Sequence, residues 1–237
     1  MNWQQRDPIY FTMSSTLKRT HTETTTPASP RAAQTALFYA QSPEIMTLLI
    51  TAGSNVNKAE KDGNTALFHT QSPQMVQLLI TAGSDVNKKN QFGMNPFRYN
   101  CCGSPSQKRV DILSILKDNG ADIDNTDTHH RTALYQTVDI AIEHNDLTMP
   151  RYLIDNDCVD NINAVCGLAT PQTYDLTALM LACKKEHVEL VRLLLTIPDI
   201  DVDICNSQGF NASFFAENNA EILGLLEEHE RANATSE

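Results

Sequence analysis

Apolar residues along this chain fall in short, dense clusters. Ile45, Met46, Leu48 and Leu49 form one, and Met75, Val76, Leu78 and Leu79 form the next. Val188, Leu190, Val191, Leu193 and Leu194 form a later one. Plotted at a helical period, each cluster covers more than one face, so it predicts a helix buried on two sides. A shorter motif precedes each cluster: Thr35, Thr65, Thr132 or Thr177, then Ala and Leu. The Thr hydroxyl can accept an orphan amide, so these positions predict helix starts. Between the two predicted helices, "QSP" places Pro43 and Pro73 in a first turn, where a missing N–H does no harm. Gly53, Gly83 and Gly120 follow the second helices, where the backbone needs positive φ. Extended pieces, "NVN", "DVN" and "DID", then lead to a tight turn such as "KDG".

The pattern recurs. "TALFYAQSPEIMTLLITAGSNVNK" (35–58) and "TALFHTQSPQMVQLLITAGSDVNK" (65–88) agree at 17 of 24 positions. A third copy begins at Asn95, a fourth at Thr132, a fifth at Thr177 and a sixth at Asn211, with steps of 30, 30, 37, 45 and 34 residues. A drifting period of this size indicates a stacked array. One helix pair cannot bury its own apolar face, but it can bury that face against a similar neighbour.

The chain resembles the ankyrin-repeat family through "TALF", "TALM", "LLITAGSNVN", "ILKDNGADID" and "HVELVRLLL", and through the Asp/Gly turns. The resemblance implies an all-α repeat solenoid of about six helix-turn-helix units with hairpin-like connections. Units would start near 31, 61, 91, 128, 173 and 207 and fill residues 31–228. Residues 1–30 then form a flexible polar segment and 229–237 a flexible tail. The apolar patch "DPIYFTM" reads as a tail that ties down the first repeat. Units one, two and six have shortened inter-helix turns, as bacterial members of the family do. Unit three carries the insert "CCGSPSQKR", and unit four has the long first helix "TVDIAIEHNDL".

The resemblance also implies a concave face of hairpin tips and first helices that binds a protein. Residue by residue this gives Tyr39 on the first helix of unit one, and Lys61, Asp62 and Asn64 at the first hairpin, with His69 beyond it. Gln91, Phe92 and Met94 lie at the second hairpin, and Thr128, His129 and Arg131 at the third. Tyr174 and Asp175 lie in the long fourth connection, and Ser207, Gln208 and Phe210 at the fifth hairpin. Phe92, Met94, Tyr174 and Phe210 are expected anchors, because large apolar side chains are unusual on turn tips. The alternative for each is to fold back over its neighbouring helix.

Composition narrows the partner. The formal net charge is −11, so the expected partner is a protein with a neutral-to-basic face rather than nucleic acid or an anionic membrane. The chain's start lacks the apolar stretch of a secretory signal, and six irregularly spaced cysteines read as reduced thiols. A cytoplasmic monomer is expected, or a protein in a host cytosol if the chain is an effector. His129–His130 could suggest a metal and Cys183 with His187 a thiol nucleophile. Neither has the spacing of a known site, and no phosphate-loop or hydrolase motif occurs. The sequence therefore points to a non-catalytic adaptor or inhibitor without cofactor or metal. The alternatives are an immunity protein masking a toxin, a secreted effector, or, further off, a thiol- or metal-dependent enzyme.

Overall fold

A computed structural model describes residues 36–103, 106–159, 161–167 and 175–234. Unit one pairs a 3₁₀ turn (Leu37–Tyr39) with α1 (Pro43–Thr51). Unit two pairs α2 (Ala66–His69) with α3 (Pro73–Thr81), and unit three α4 (Pro96–Cys101) with α5 (Gln107–Asp118). Unit four pairs α6 (Ala133–His144) with α7 (Thr148–Asp155), and unit five α8 (Ala178–Lys184) with α9 (Val188–Leu194). Unit six pairs α10 (Ala212–Phe215) with α11 (Ala220–Ala234). Among the described residues there is no strand, only a single antiparallel bridge between Cys166 and Leu176. The expected all-α repeat solenoid is the observed fold.

The first helices form one continuous layer, from the 3₁₀ turn through α2, α4, α6 and α8 to α10. Behind them α1, α3 and α5 pack in succession, as do α9 and α11. The apolar interior has two parts. Leu37, Leu67, Phe97 and Leu113 anchor the N-terminal part, and Leu179, Leu190, Val191 and Leu226 the C-terminal part. Unit four contributes to both: Leu134 and Val138 face units five and six, while Met149 and Leu153 face the N-terminal part.

Local chemistry explains the helix boundaries. Oxygens of Ser42, Asn95, Thr132, Thr177 and Asn211 each accept the amide three residues on. Pro43 and Pro73 open their helices as expected. Gly53, Gly83 and Gly120 take positive φ. Thr65 departs from expectation. Its hydroxyl makes no cap, because the Phe68 amide donates to the Thr65 backbone carbonyl at 3.0 Å in the single-turn α2. Thr35 lies outside the described residues. The expected tail boundary near 228 is also corrected. Helix α11 continues to Ala234, with Arg231 pairing Glu227 at 3.2 Å and Asn233 meeting His229 at 3.0 Å, one turn apart.

Between units, an asparagine recurs as a cross-strut. The Asn57 amide donates to the Gly83 carbonyl (2.9 Å) while its oxygen accepts from the Asp85 N–H (2.7 Å). Asn87 does the same to Gly120 and Asp122, and Asn163 to Asp199 and Asp201. Each side chain therefore satisfies backbone groups of the next unit, which fixes the spacing of the stack.

The first two hairpins lie close together at Gly63. Its φ is +82°, and a Cβ there would lie 3.0 Å from the backbone of Asn90 and Gln91. Gly63→Ala is therefore expected to lower stability by about 2 kcal/mol through backbone strain and a forced gap between the first two hairpins. Urea unfolding monitored by circular dichroism checks this.

Candidate protein-binding face

The hairpin tips are built by one rule. At the entry position an Asx side chain turns back on the loop. Asn90 accepts from the N–H groups of Phe92 (3.0 Å) and Met94 (3.1 Å), and Asn206 from those of Gln208 and Phe210 (both 3.0 Å). Asp127 accepts from the N–H groups of His129 (2.9 Å) and Arg131 (3.0 Å). Tips then join neighbour to neighbour. The Gln91 N–H donates to the Asp62 carbonyl (2.9 Å) and the Thr128 N–H to the Phe92 carbonyl (3.0 Å). The Ser207 hydroxyl donates to the Asp175 carboxylate at 2.8 Å. At three of the tips the fourth turn residue is Gly63, Gly93 or Gly209. In unit four it is His130, held at φ +57°.

This frame sorts the expected site residues. Lys61, Gln91, Thr128, Ser207 and Gln208 are exposed along the row of tips, with Asp62, Phe92, His129 and Asp175 half-buried beside them. His69 is half-buried, and its ring meets the Glu60 carboxylate at 3.0 Å within the hairpin. Tyr39 is exposed at the end of the array. Tyr174 lies outside the described residues.

Three expected contacts are corrected. Asn64, Met94 and Arg131 are buried, with Met94 1 % exposed. They occupy the turn's fifth position, which points into the stack. Asn64 receives the Asn90 amide (2.9 Å), and Arg131 donates to Asp127 (2.8 Å). Phe210 shares that position and folds back, stacking on Phe214 with ring centroids 3.8 Å apart. Phe214 and Phe215, which the sequence reading missed, thus form an aromatic cluster on α10. Phe214 remains 40 % exposed, and the Lys184 ammonium lies 5.7 Å from the Phe215 ring centre. The paired Phe in "NASFF" was the available signal.

Asp127 is acidic where Asn90 and Asn206 are neutral because two arginines face it. Arg98, fully buried on α4, reaches Asp127 at 3.1 Å, and Arg131 pairs with the same oxygen. Burial pushes the Asp127 carboxyl up, but Arg98, the backbone bonds and Arg131 together hold it below its ordinary value.

Cys183 is buried in the core, and burial pushes its thiol up to about 12. The His187 ring accepts the Leu190 N–H at 3.3 Å, which caps α9. No cluster of three His, Cys, Asp or Glu suited to a metal occurs among the described residues, so His129 and His130 stand without further ligands. The best-formed cleft, between Ile123, Thr132, Leu134 and Val159, has room for roughly one water molecule. All six cysteines are free thiols. No helix among the described residues is long and apolar enough to cross a membrane.

Comparison with known proteins agrees with the architecture. Residues 139–236 match the ankyrin-repeat family, in three copies. The described chain shows the same helix pairs in units one to three, ahead of that match. No curated protein matches the sequence. Among solved structures, an ankyrin repeat domain from Acinetobacter baumannii superposes with a TM-score of 0.66 at 23 % identity, covering 85 % of this chain and 99 % of that one. The human ASB11 ankyrin repeat domain gives 0.57 at 22 % identity, covering 86 % and 84 %. A chain from a predatory endopeptidase of Bdellovibrio bacteriovorus in complex with an immunity protein gives 0.60 at 18 % identity, covering 85 % and 99 %. The described chain has the fold of ankyrin repeat domains, and its residues 139–236 match the ankyrin-repeat family itself.

Asn90 and Asn206 show that a neutral side chain closes this turn. Asp127→Asn should therefore keep the hairpin while leaving the buried Arg98 guanidinium without its carboxylate, at a cost of about 3 kcal/mol or more. The sign with pH follows from the lowered carboxyl. The pairing is fully present above the unfolded value near 3.9 and is lost as pH falls through the folded value below it. Acid unfolding curves should show that step in the parent and lack it in Asp127→Asn.

Proposed function

We propose that this protein is a non-catalytic binder that grips a protein partner along the row of hairpin tips and first helices, as an adaptor or an inhibitor. One observation carries the reading. Lys61, Gln91 and Thr128 stand exposed on three tips tied in succession, and Ser207 and Gln208 on a tip tied to Asp175, so preorganised tips face solvent. Such a surface binds without first ordering its own loops, which favours affinity. Phe92 and the Phe210–Phe214 stack supply apolar area on that ridge, and Asp62, His129 and Asp175 supply polar contacts. The acidic balance suits a neutral-to-basic partner, with association that slows as salt rises. A cytoplasmic monomer is the setting we propose. The burial of Cys183 supports a role in which that thiol is not a nucleophile.

A second reading is favoured by one comparison: an immunity protein that masks a toxin. The superposition on a chain of the endopeptidase–immunity protein complex, over 99 % of that chain, motivates it. An effector acting on a host protein would use the same surface.

The test is affinity capture from the cell of origin with the parent chain and with Lys61→Glu, Gln91→Ala and Gln208→Ala combined. The expected result is a discrete captured protein whose binding falls about tenfold or more in the variant, with thermal unfolding unchanged. Equal capture by both chains, or none by the parent, would sink the proposal. A captured hydrolase inhibited by this chain would support the immunity reading.

A further inference from the structure

The two ends of the array differ in a way that stacking alone does not explain. The exposed positions of α11, at the C-terminal end, include Glu221, Glu227, Glu228, Glu230 and Arg231 and hold no large apolar side chain, a finish suited to the last unit of a solenoid. At the N-terminal end Tyr39 is 63 %, Ile45 48 % and Leu48 70 % exposed. With Phe214, these are the exposed large apolar side chains among the described residues.

The internal repeat shows what this surface is. Tyr39, Ile45 and Leu48 are equivalent to His69, Met75 and Leu78 of unit two, thirty residues on. Met75 is 4 % exposed, Leu78 packs against the core, and His69 meets the Phe38 ring edge-on at 5.8 Å. Unit one provides that cover, through α1 on α3 and the 3₁₀ turn on α2. Unit one therefore presents a stacking face that no unit covers among the described residues, and its apolar content calls for an occupant.

We propose that the chain's own N-terminal segment, Trp3–Met13, caps this face, laying Ile9, Tyr10 and Phe11 against Tyr39, Ile45 and Leu48. The segment "WQQRDPIYFTM" holds the main apolar patch ahead of the array. Residues 14–35 joining it to Ala36, even partly extended, exceed the roughly 14 Å length of α1 several times over, so the patch reaches the whole face. The tether also makes the contact intramolecular, which raises its effective concentration above that of any free partner of equal affinity. A second copy stacked head to tail is a poorer occupant, because it would set Ile45 and Leu48 against the carboxylates of α11.

Trp3 is the sole tryptophan, so the chain carries its own reporter. In the purified full chain, Trp3 emission is expected to lie to the blue of the urea-unfolded chain, with acrylamide quenching several-fold weaker. Ile45→Asp with Leu48→Asp, both solvent-facing in the array, should return the emission to the unfolded position with the far-ultraviolet dichroism retained. Ile9→Asp with Phe11→Asp alters no residue of the array. It should produce the same emission shift and make amide exchange across α1 about tenfold faster. The proposal is overturned if native Trp3 is as open to acrylamide as in urea, or if neither pair of substitutions moves the emission. It is also overturned if the blue shift vanishes on dilution together with a dimer seen by sedimentation, which would make a second copy the occupant.

Discussion

Apolar burial between neighbouring units, rather than within any one of them, is the constraint on which this molecule rests. A helix of four residues such as α2 has almost no stability alone. It persists because Ala66, Leu67 and Phe68 are enclosed by the units on either side. At roughly 25 cal/mol per Å² of apolar area, each shared wall offsets chain entropy that one helix pair could not. The asparagine struts at 57, 87 and 163 set the spacing of those walls by satisfying backbone groups across each gap. A row of evenly held hairpin tips follows from that spacing.

The middle of the array adds an electrostatic element to this scheme. Arg98 occupies a slot on α4 where unit two places Phe68, which is buried against the Tyr99 ring at a centroid distance of 5.3 Å. A guanidinium in such a slot must be compensated, and Asp127 of the following hairpin supplies the charge while still closing its own turn. Units three and four are thus joined by a buried ion pair, whereas the pair joining units five and six, Arg192 to Glu221, is exposed.

Much of the architecture was legible in the residues. Apolar clusters at Ile45–Leu49 and Met75–Leu79, the prolines at 43 and 73 and the glycines at 53, 83 and 120 each carry a local physical meaning that the stack does not override. The binding face was less legible. Met94 and Arg131 look like tip residues in the sequence, but the fifth turn position points inward, and that depends on how one hairpin nests in the next. Thr65 was misread as a cap because the Phe68 amide turns to the Thr65 backbone carbonyl, a choice that the residue type does not reveal. The extent of α11 past Glu228 was hidden because "EHERANA" lacks the apolar rhythm of the stacked helices, and its support is spacing of Glu227 and Arg231 one turn apart.

The parting of the apolar interior at unit four bears on how the molecule moves. Linear arrays lose order in blocks whose borders fall where coupling between neighbours is weakest. Here Leu134 and Val138 of α6 pack with one flank, while Ala133 at the start of α6 and Met149 and Leu153 of α7 pack with the other, so the seam between the two flanks runs through a single unit. A ligand spanning the tips of both would hold that seam closed, and one resting on a single flank would leave the other free to breathe.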